Sequence, residues 1–244
     1  MGIGAAIVRA VTGEAARAVI ADRCAEPAAE LAEELREAGA KVHVIVGDLS
    51  TAENCKRTVE EALETFGRID ALVNNAGVND RVGLERGNPA EYVASLERNL
   101  LHYYNLAHYA LAGLKESRGS IVNIASKTAI TGQGDTSGYA SAKGAILALT
   151  REWAVELLPY QIRVNAVVPA EVMTPLYRNW LNTFPDPEAK LAGIVSKIPL
   201  GNRMTTADEI AAMVAFLISS KAAHITGQHL FVDGGYTHLD RALP

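Results

Sequence analysis

The sequence contains few of the residues that identify metal-binding and disulfide-bonded proteins. Its 244 residues include two cysteines, Cys24 and Cys55, whose separation matches neither a disulfide framework nor a metal-binding spacing. Such sparse use of cysteine indicates structural thiols in a reducing, cytoplasmic compartment. The six histidines include no pair at the spacing of a zinc site on a helix. The sequence therefore predicts no metal.

Charge and hydropathy exclude two further classes of partner. The formal net charge is -5 with both signs interspersed, so no basic stripe is available to bind a nucleic acid. No apolar run approaches the roughly 18 residues of a membrane-spanning helix, and the N-terminus lacks the charged and then apolar order of a signal peptide. We therefore expect neither nucleic acid nor membrane as a partner.

The spacing of apolar residues predicts an α/β fold. Short runs of β-forming residues alternate with amphipathic stretches of helical length, which is typical of a parallel sheet covered by helices. The predicted strands are 18–21, 42–46, 71–73, 120–124, 163–168 and 229–232. The predicted helices are 27–38, 52–66, 89–114, 139–158 and 207–219. The chain length suits one domain, so we expect a single Rossmann-type, doubly wound domain over 1–244.

Two segments depart from this alternation. Residues 171–200 carry four prolines around two short predicted helices, and we interpret them as a helical lid over a substrate site. At the start, Gly2-Ile3-Gly4 leads directly into the amphipathic stretch 5–11, although a Rossmann-type unit places a strand before its glycine turn. The sequence thus predicts a sheet whose first strand is missing, through truncation or through an unusual start to the fold, and truncation is favoured.

Tyr139, Lys143 and Ser126 are the candidates for proton transfer. Tyr139 and Lys143 stand four residues apart in a predicted helix, so both side chains project from one face. A phenol titrates at about pH 10, and a nearby cation favours the phenolate. We therefore expect Lys143 to lower the pKa of Tyr139 and to make it a usable acid or base. Ser126 ends an apolar strand, where its hydroxyl is suited to hold a substrate oxygen. Taken alone, the tyrosine and lysine are equally typical of a solvated helix face.

Further residues are consistent with a bound dinucleotide. The small residues of Asn74-Asn75-Ala76-Gly77 follow a predicted strand and would let a cofactor approach closely. Asn99 is a poor helix former within the predicted helix 89–114, where we expect it to kink the helix and support a water-linked path to Lys143. Asp22 ends a predicted strand and would bind a ribose 2′-hydroxyl and repel a 2′-phosphate, which favours NAD; Arg23 would still tolerate NADP.

These motifs follow one another in a recognisable order. In chain order they are Gly2-Ile3-Gly4, Asp48, Asn74-Asn75-Ala76-Gly77, Asn99, Ser126, Tyr139-Ala-Ser-Ala-Lys143, Pro169 and Asp233-Gly234-Gly235. The set resembles the short-chain dehydrogenase/reductase family over essentially the whole chain. Two features depart from the family pattern: the Thr-Gly pair that normally opens the glycine loop is absent, and Ala170 replaces the glycine that usually follows the proline.

The resemblance implies roles for individual residues. It implies Asn99, Ser126, Tyr139 and Lys143 as a catalytic tetrad, with Lys143 also holding the nicotinamide ribose. The residues that it implies or that we expect at the dinucleotide are Gly2, Ile3, Gly4 (pyrophosphate), Asp22, Arg23, Asp48, Leu49 (adenosine), Asn75, Ala76, Gly77, Tyr139, Lys143, Val172 and Thr174 (nicotinamide side). It further implies a homotetramer, with the predicted helix 139–158 and the C-terminal segment at the subunit contacts.

The expected pocket is rich in hydrogen-bonding side chains, which suits a polyol or sugar better than a sterol or an acyl chain. These side chains are Asn79, Asp80, Lys127, Gln133, Glu171, Arg178 and Trp180. The segments after Pro169 and after Asp233 resemble a sugar-oxidising branch of the family, the bacterial L-fucose dehydrogenases. This implies oxidation of a sugar hemiacetal to its lactone, with the substrate bound by Ser126, Lys127, Gln133, Tyr139 and Glu171.

Three alternatives remain at this point. The same tetrad would serve a carbonyl reductase of ketoacyl, steroid or keto-sugar-acid substrates. A non-catalytic scaffold would keep the fold without turnover. A chain without its first strand would expose the hydrogen-bonding edges of two neighbouring strands and would be an inactive fragment.

Overall fold

A computed structural model describes residues 2–239 of the chain. The segment after Asp233, which carries part of the resemblance, continues to Asp240 and Arg241, and these two lie outside the described residues. No helix within the described range is long and apolar enough to cross a membrane.

Strands and helices alternate along the chain as the sequence predicts. The strands are β1 (Ala18–Asp22), β2 (Val42–Val46), β3 (Ala71–Asn74), β4 (Ser120–Ile124), β5 (Arg163–Pro169) and β6 (His229–Val232). The helices are α1 (Ile3–Gly13), α2 (Ala25–Glu37), α3 (Ala52–Phe66), α4 (Pro89–Leu96), α5 (His102–Ser117), α6 (Ser137–Glu156), α7 (Pro175–Leu181), α8 (Pro187–Val195) and α9 (Ala207–Ile218). The α/β class and the parallel sheet are therefore confirmed.

The strands form two parallel sheets. One contains β3, β4, β5 and β6 in that order, and the other pairs β1 with β2. In the larger sheet Val73 lies opposite Val122, and Val167 lies opposite Leu230. Nearly every residue of β4 and β5 is buried, as expected for strands with helices on both faces. Within the described residues, β1 and β3 are not hydrogen-bonded to each other, so each forms an edge of its own sheet.

Helix α1 joins the two sheets through its apolar side chains. Ala5 and Val8 pack into the cluster formed by β1, β2 and α2. Ala6 and Ile7 pack instead into the cluster that α9 forms over β4 and β5. The helix therefore contributes to both apolar clusters and holds the smaller sheet beside the larger one.

The predicted helix 89–114 is interrupted near its middle. A π-helical segment, Glu97–Leu101, separates α4 from α5. Asn99 lies in this segment and is completely buried; its Nδ2 donates to the Ser95 carbonyl at 3.0 Å, and its Oδ1 accepts from the Val78 amide at 2.7 Å. Because the side-chain amide bonds to the backbone, the regular helix is broken there. The kink expected at Asn99 is confirmed as a π-helical segment.

Two short helices occupy the region interpreted as a lid. Helix α7 begins after Thr174, whose side-chain oxygen accepts from the Tyr177 amide at 3.2 Å. Helix α8 begins after Asp186, whose carboxylate accepts from the Ala189 amide at 2.9 Å. Both caps place a side-chain oxygen on a free N–H group of the first turn. The lid role of these helices stays a prediction.

Candidate active site

The catalytic candidates lie at the carboxyl edge of the larger sheet. Ser126 follows the end of β4, and its Oγ accepts from the Thr128 amide at 3.3 Å and from the Thr128 hydroxyl at 3.1 Å. Tyr139 and Lys143 lie in the first two turns of α6, which packs against β5. Carboxyl ends of parallel strands are where such sheets carry their sites. The structure thus brings these three residues to one edge.

Lys143 is buried and is held by two acceptors. Its Nζ donates to the Ile124 carbonyl at 2.8 Å and to the Tyr103 hydroxyl at 3.0 Å. Burial disfavours the charged form and lowers the pKa of Lys143 to about 7. The ammonium group is therefore only partly populated near neutral pH in this structure.

The expected effect of Lys143 on Tyr139 is not found here. Burial raises the pKa of Tyr139 to about 12; a hydrogen bond with Ser126 opposes this rise, and the charge of Asp80 adds to it. The Lys143 nitrogen lies 5.6 Å from the centre of the Tyr139 ring, and the lowered pKa of Lys143 leaves it partly neutral near pH 7. The prediction that Lys143 lowers the pKa of Tyr139 is wrong for this structure, because burial outweighs a distant cation that is itself partly neutral.

Asn99 and Gly77 bring the loop after β3 close to Lys143. A Cβ atom at position 77 would lie 3.1 Å from Asn99 Oδ1 and 3.5 Å from Lys143 Nζ, so a glycine permits this close approach. His102 holds the same loop through its Nε2, which lies 3.0 Å from the Ala76 carbonyl oxygen. The water-linked path between Asn99 and Lys143 stays a prediction.

The N-terminal turn fits the phosphates of a dinucleotide. Helix α1 begins at Ile3 and has no side-chain cap, so its first N–H groups have no helical partner. A Cβ atom at Gly4 would lie 2.9 Å from Asn75 Nδ2, and one at Gly2 would lie 3.4 Å from Thr174 Cγ2. The turn is thus packed between the β3 loop and the start of α7. Free N–H groups and the helix dipole at such a turn suit a pyrophosphate.

Asp22 and Asp48, which are predicted at the adenosine of a dinucleotide, lie at the carboxyl ends of the two strands of the smaller sheet. Asp22 is the last residue of β1, and one of its oxygens accepts from the Cys24 amide at 2.9 Å. Asp48 follows β2 and accepts from the Ser50 amide at 3.0 Å; this bond to the backbone of Ser50 is the main cause of its lowered pKa. Arg23 is exposed, and Leu49 is partly buried. Binding of the adenosine by these four residues stays a prediction.

A second polar cluster adjoins Ser126 and contains two of the predicted substrate residues. Lys127 forms an ion pair with Glu171, and the two side chains are only 9% and 13% exposed. The second oxygen of Glu171 accepts from the Tyr177 hydroxyl at 2.7 Å. The Lys127 ammonium also lies 4.1 Å from the centre of the Tyr236 ring. Lys127, Glu171, Tyr177 and Tyr236 are called the lysine–glutamate cluster below.

This cluster borders a cavity of about 280 Å³ under α8. The residues lining it are Glu171, Ala189, Lys190, Gly193, Ile194, Lys197 and Tyr236. Gln133, predicted at the substrate, lies instead in the exposed loop before α6. Val172 is buried and pairs with Thr205 through a β-bridge beside this region. Glu171 and Tyr236 of the cluster therefore face this cavity.

Three tyrosines were not predicted as site residues. Tyr103 contacts Lys143, and Tyr177 and Tyr236 contact the lysine–glutamate cluster. Tyr103 lies one helical turn after Asn99, and this spacing is the one signal that could have drawn attention to it. Nothing local in the sequence links Tyr177 or Tyr236 to Lys127, because those contacts form only in the folded chain.

Comparison with known proteins agrees with this geometry. A family model described as enoyl-(acyl carrier protein) reductase matches residues 1–237. The L-fucose dehydrogenase of Oryctolagus cuniculus is 37% identical over 235 residues, which cover 96% of this chain and 81% of that protein. The crystal structure of Cj0485 dehydrogenase has a TM-score of 0.93 and 45% identity, with 99% of this chain and 92% of that one covered.

A further solved structure is a sugar enzyme with its ligands bound. The L-sorbose reductase from Gluconobacter frateurii, in complex with NADPH and L-sorbose, has a TM-score of 0.93 and 26% identity, with 98% of this chain and 94% of that one covered. These matches extend over nearly the whole chain and show its family. This chain belongs to the short-chain dehydrogenase/reductase family and is an oxidoreductase that acts on a CH–OH group with NAD or NADP.

Proposed function

We propose that this enzyme oxidises a sugar hemiacetal such as L-fucose at its anomeric carbon and releases the lactone. The observation that carries the proposal is the buried pair of Lys127 and Glu171 directly beside Ser126. A charged pair is costly to bury unless further hydrogen bonds satisfy it, and a substrate with several hydroxyl groups can supply such bonds. The names of the similar L-fucose dehydrogenase and L-sorbose reductase support a sugar substrate.

The proposed reaction transfers one proton and one hydride from the substrate. Tyr139, as the phenolate, accepts the proton of the anomeric hydroxyl, while Ser126 donates a hydrogen bond to that oxygen and holds it in place. When bound, the nicotinamide ring accepts the hydride that leaves the anomeric carbon. Loss of this proton and hydride leaves the C=O bond of the lactone. Burial disfavours the phenolate of Tyr139, and the positive charge of a protonated Lys143 would offset only part of this effect.

We assign recognition of the sugar to the lysine–glutamate cluster. Glu171 can accept hydrogen bonds from sugar hydroxyls, and Lys127 can donate to sugar oxygens. Tyr177 belongs to α7 and donates a hydrogen bond to Glu171. A substrate that contacts Glu171 would therefore also affect the position of the proposed helical lid. Gln133 would reach the substrate only if its exposed loop moved inward, and it remains the least supported of the proposed substrate residues.

NAD is the proposed cofactor. Asp22 at the end of β1 supports this choice, because its carboxylate would bind a 2′-hydroxyl and repel a 2′-phosphate. Arg23 beside it and the NADPH bound to the similar L-sorbose reductase support NADP as the alternative. Titration of the protein with NAD and with NADP in separate calorimetric experiments decides between them. Tighter binding of NADP would contradict the proposed preference.

We also propose a homotetramer in the cytoplasm. Several large apolar side chains on α4, α5 and α6, and in the short segments next to these helices, are exposed in the single chain. Their exposure supports subunit contacts at this face. These are Val93, Leu101, Tyr104, Val155 and Leu158. The two unpaired cysteines support a reducing compartment. Sedimentation of the purified protein measures its mass in solution, and a monomer would contradict this assembly.

The second candidate is a carbonyl reductase of ketoacyl, steroid or keto-sugar-acid substrates, which the description of the matching family model supports. A panel of sugars with NAD and of ketones with reduced nicotinamide separates the two, read by the absorbance of the reduced cofactor. We expect turnover with L-fucose or a related aldose. Turnover of ketones alone would favour the second candidate, and a protein that neither binds dinucleotide nor turns over any substrate would be the inactive scaffold.

A further inference from the structure

Tyr103 is a buried polar residue that the proposed chemistry does not use. It lies in the first turn of α5, directly after the π-helical segment, and its side chain is completely buried. Its hydroxyl donates to the Ile124 carbonyl at 2.9 Å and accepts from Lys143 Nζ at 3.0 Å. Lys143 Nζ also donates to the same carbonyl at 2.8 Å. The phenol oxygen, the lysine nitrogen and the carbonyl oxygen thus form a closed triangle.

This triangle fixes two of the three donors of the lysine. An ammonium group has three N–H bonds on a flexible four-carbon stem and can otherwise rotate among several acceptors. With two bonds directed at Tyr103 and Ile124, the third has a defined direction and remains for a ligand. Burial raises the pKa of Tyr103 well above its ordinary value, so the phenol stays neutral and remains both donor and acceptor.

The other groups around Lys143 do not replace this acceptor. His102, on the same turn of α5 as Tyr103, has its pKa lowered to about 4, chiefly by burial, and is therefore neutral. Tyr139 faces Lys143 from its own helix, and the charges of Asp80 and Asp48 act on Tyr139 and on His102 respectively. Within residues 2–239, no carboxylate forms an ion pair with Lys143. The charged lysine is stabilised by neutral oxygens alone.

We propose that Tyr103 is a positioning residue of this enzyme, which orients the Lys143 amino group and favours its charged form for the dinucleotide and for Tyr139. The alternative is that Tyr103 only fills the core and satisfies the Ile124 carbonyl. The proposal concerns the chemistry shared by the family, and it does not depend on a sugar being the substrate.

The substitution Tyr103→Phe tests this role because it removes one oxygen and keeps the buried ring. Without the acceptor, Lys143 loses its proton at a lower pH, and the Tyr139 phenolate then forms at a higher pH. We expect the two limits of the pH–activity profile to move apart by about one pH unit in total and the maximal turnover to fall about tenfold, because both required protonation states become rarer. We expect NADH, titrated by calorimetry, to bind about five- to tenfold more weakly, with the loss growing as the pH rises.

The control is Tyr109→Phe, which removes the hydroxyl of a half-buried tyrosine further along the same helix. It should change neither the pH interval nor the NADH affinity. In a Lys143→Met background, Tyr103→Phe should have no further effect on NADH affinity, because the lysine through which it acts is gone. A purely structural tyrosine predicts additive losses in the double variant and an unchanged pH interval in the single one, and either result would overturn the proposal.

If Tyr103→Phe fails to fold, 3-fluorotyrosine at position 103 keeps the ring, the hydroxyl and nearly the same volume. The fluorine makes the phenol oxygen a weaker acceptor, so we expect a smaller change of the pH interval and of the maximal turnover in the same direction. An unchanged interval together with unchanged NADH affinity would refute the role. Thermal unfolding of each variant, followed by circular dichroism, shows whether the protein measured is folded.

Discussion

The ammonium group of Lys127 is paired with the carboxylate of Glu171, which lies 44 residues further along the chain. Lys127 directly follows Ser126, and Glu171 lies between β5 and the lid helix α7. The pair therefore connects the catalytic edge of the sheet with the segment expected to close over a substrate. Its burial makes it the feature on which substrate selectivity can best be tested.

Glu171→Gln tests the role of this pair in sugar binding. The amide keeps the size of the side chain, removes the negative charge and leaves Lys127 without its partner. We expect the KM for an aldose to rise at least about tenfold, while the affinity for NAD stays within about twofold. The matched control is Glu188→Gln, which removes an exposed carboxylate on α8. An unchanged KM for the aldose would remove Glu171 from the substrate site.

Tyr139→Phe tests the proton acceptor. The variant lacks the oxygen that receives the substrate proton, so we expect turnover to fall by at least about a thousandfold. Dinucleotide binding, measured by calorimetry, should be largely kept. Tyr160→Phe, at an exposed tyrosine distant in sequence, serves as the control and should retain full activity. Full activity in Tyr139→Phe would refute the assignment.

Gly77→Ala tests the close approach of the β3 loop to Lys143. The added methyl group would lie 3.1 Å from Asn99 Oδ1, so the loop or the asparagine has to move. We expect the affinity for NADH to fall about tenfold, which corresponds to about 1.4 kcal/mol. Gly144→Ala on α6 is the control, because a Cβ atom there meets nothing within 4 Å. In a helix interior that change should stabilise the protein by about 0.5–1 kcal/mol. Equal NADH affinity in both variants would contradict the expected crowding.

The burial of His102 predicts that the folded protein becomes less stable as the pH falls. Burial is the main reason that its pKa falls from 6.5 to about 4 in the folded protein. Between these values the unfolded chain binds more protons than the folded one, so stability is full above about pH 6.5 and is lost as the pH falls toward 4. The loss attributable to this residue is roughly 3 kcal/mol.

Urea unfolding at a series of pH values measures this dependence. His102→Gln keeps a donor for the Ala76 carbonyl and cannot be protonated, so its free energy of unfolding should decline less over this interval. The control is His108→Gln, at an exposed histidine on the same helix. The same pH slope in His102→Gln and in the unmodified protein would show that His102 is not the responsible group.

The strands and most helices could be predicted because their signals are local. Each buried strand is a short run of β-forming residues. Helix α3 is capped by the Thr51 side chain at its start and by Gly67 at its end, and Gly67 adopts the left-handed conformation typical of a helix C-cap. The kink at Asn99 was also predictable, because asparagine bonds to nearby backbone. The type of interruption was not, since it depends on a bond from the Val78 amide in another segment.

The electrostatics of the site could not be predicted from spacing. The sequence places Lys143 four residues from Tyr139 and so suggests a cation beside a phenol. It does not show how deeply both groups are buried, and burial reverses the expected direction of the tyrosine pKa. The triangle of Tyr103, Lys143 and Ile124 likewise depends on three elements packed together, so no short segment contains its signal.

The packing of helix α1 determines how the two sheets are held together. Its side chains join the smaller sheet, at whose edge Asp22 and Asp48 lie, to the larger sheet, at whose edge the candidate catalytic residues lie. No ladder of backbone hydrogen bonds connects the two sheets within the described residues. A dinucleotide that reaches from Asp22 past the start of α1 to Lys143 would therefore contact both sheets and restrict their movement relative to each other. Its binding should slow amide exchange in β1 and β2 as strongly as at the catalytic edge.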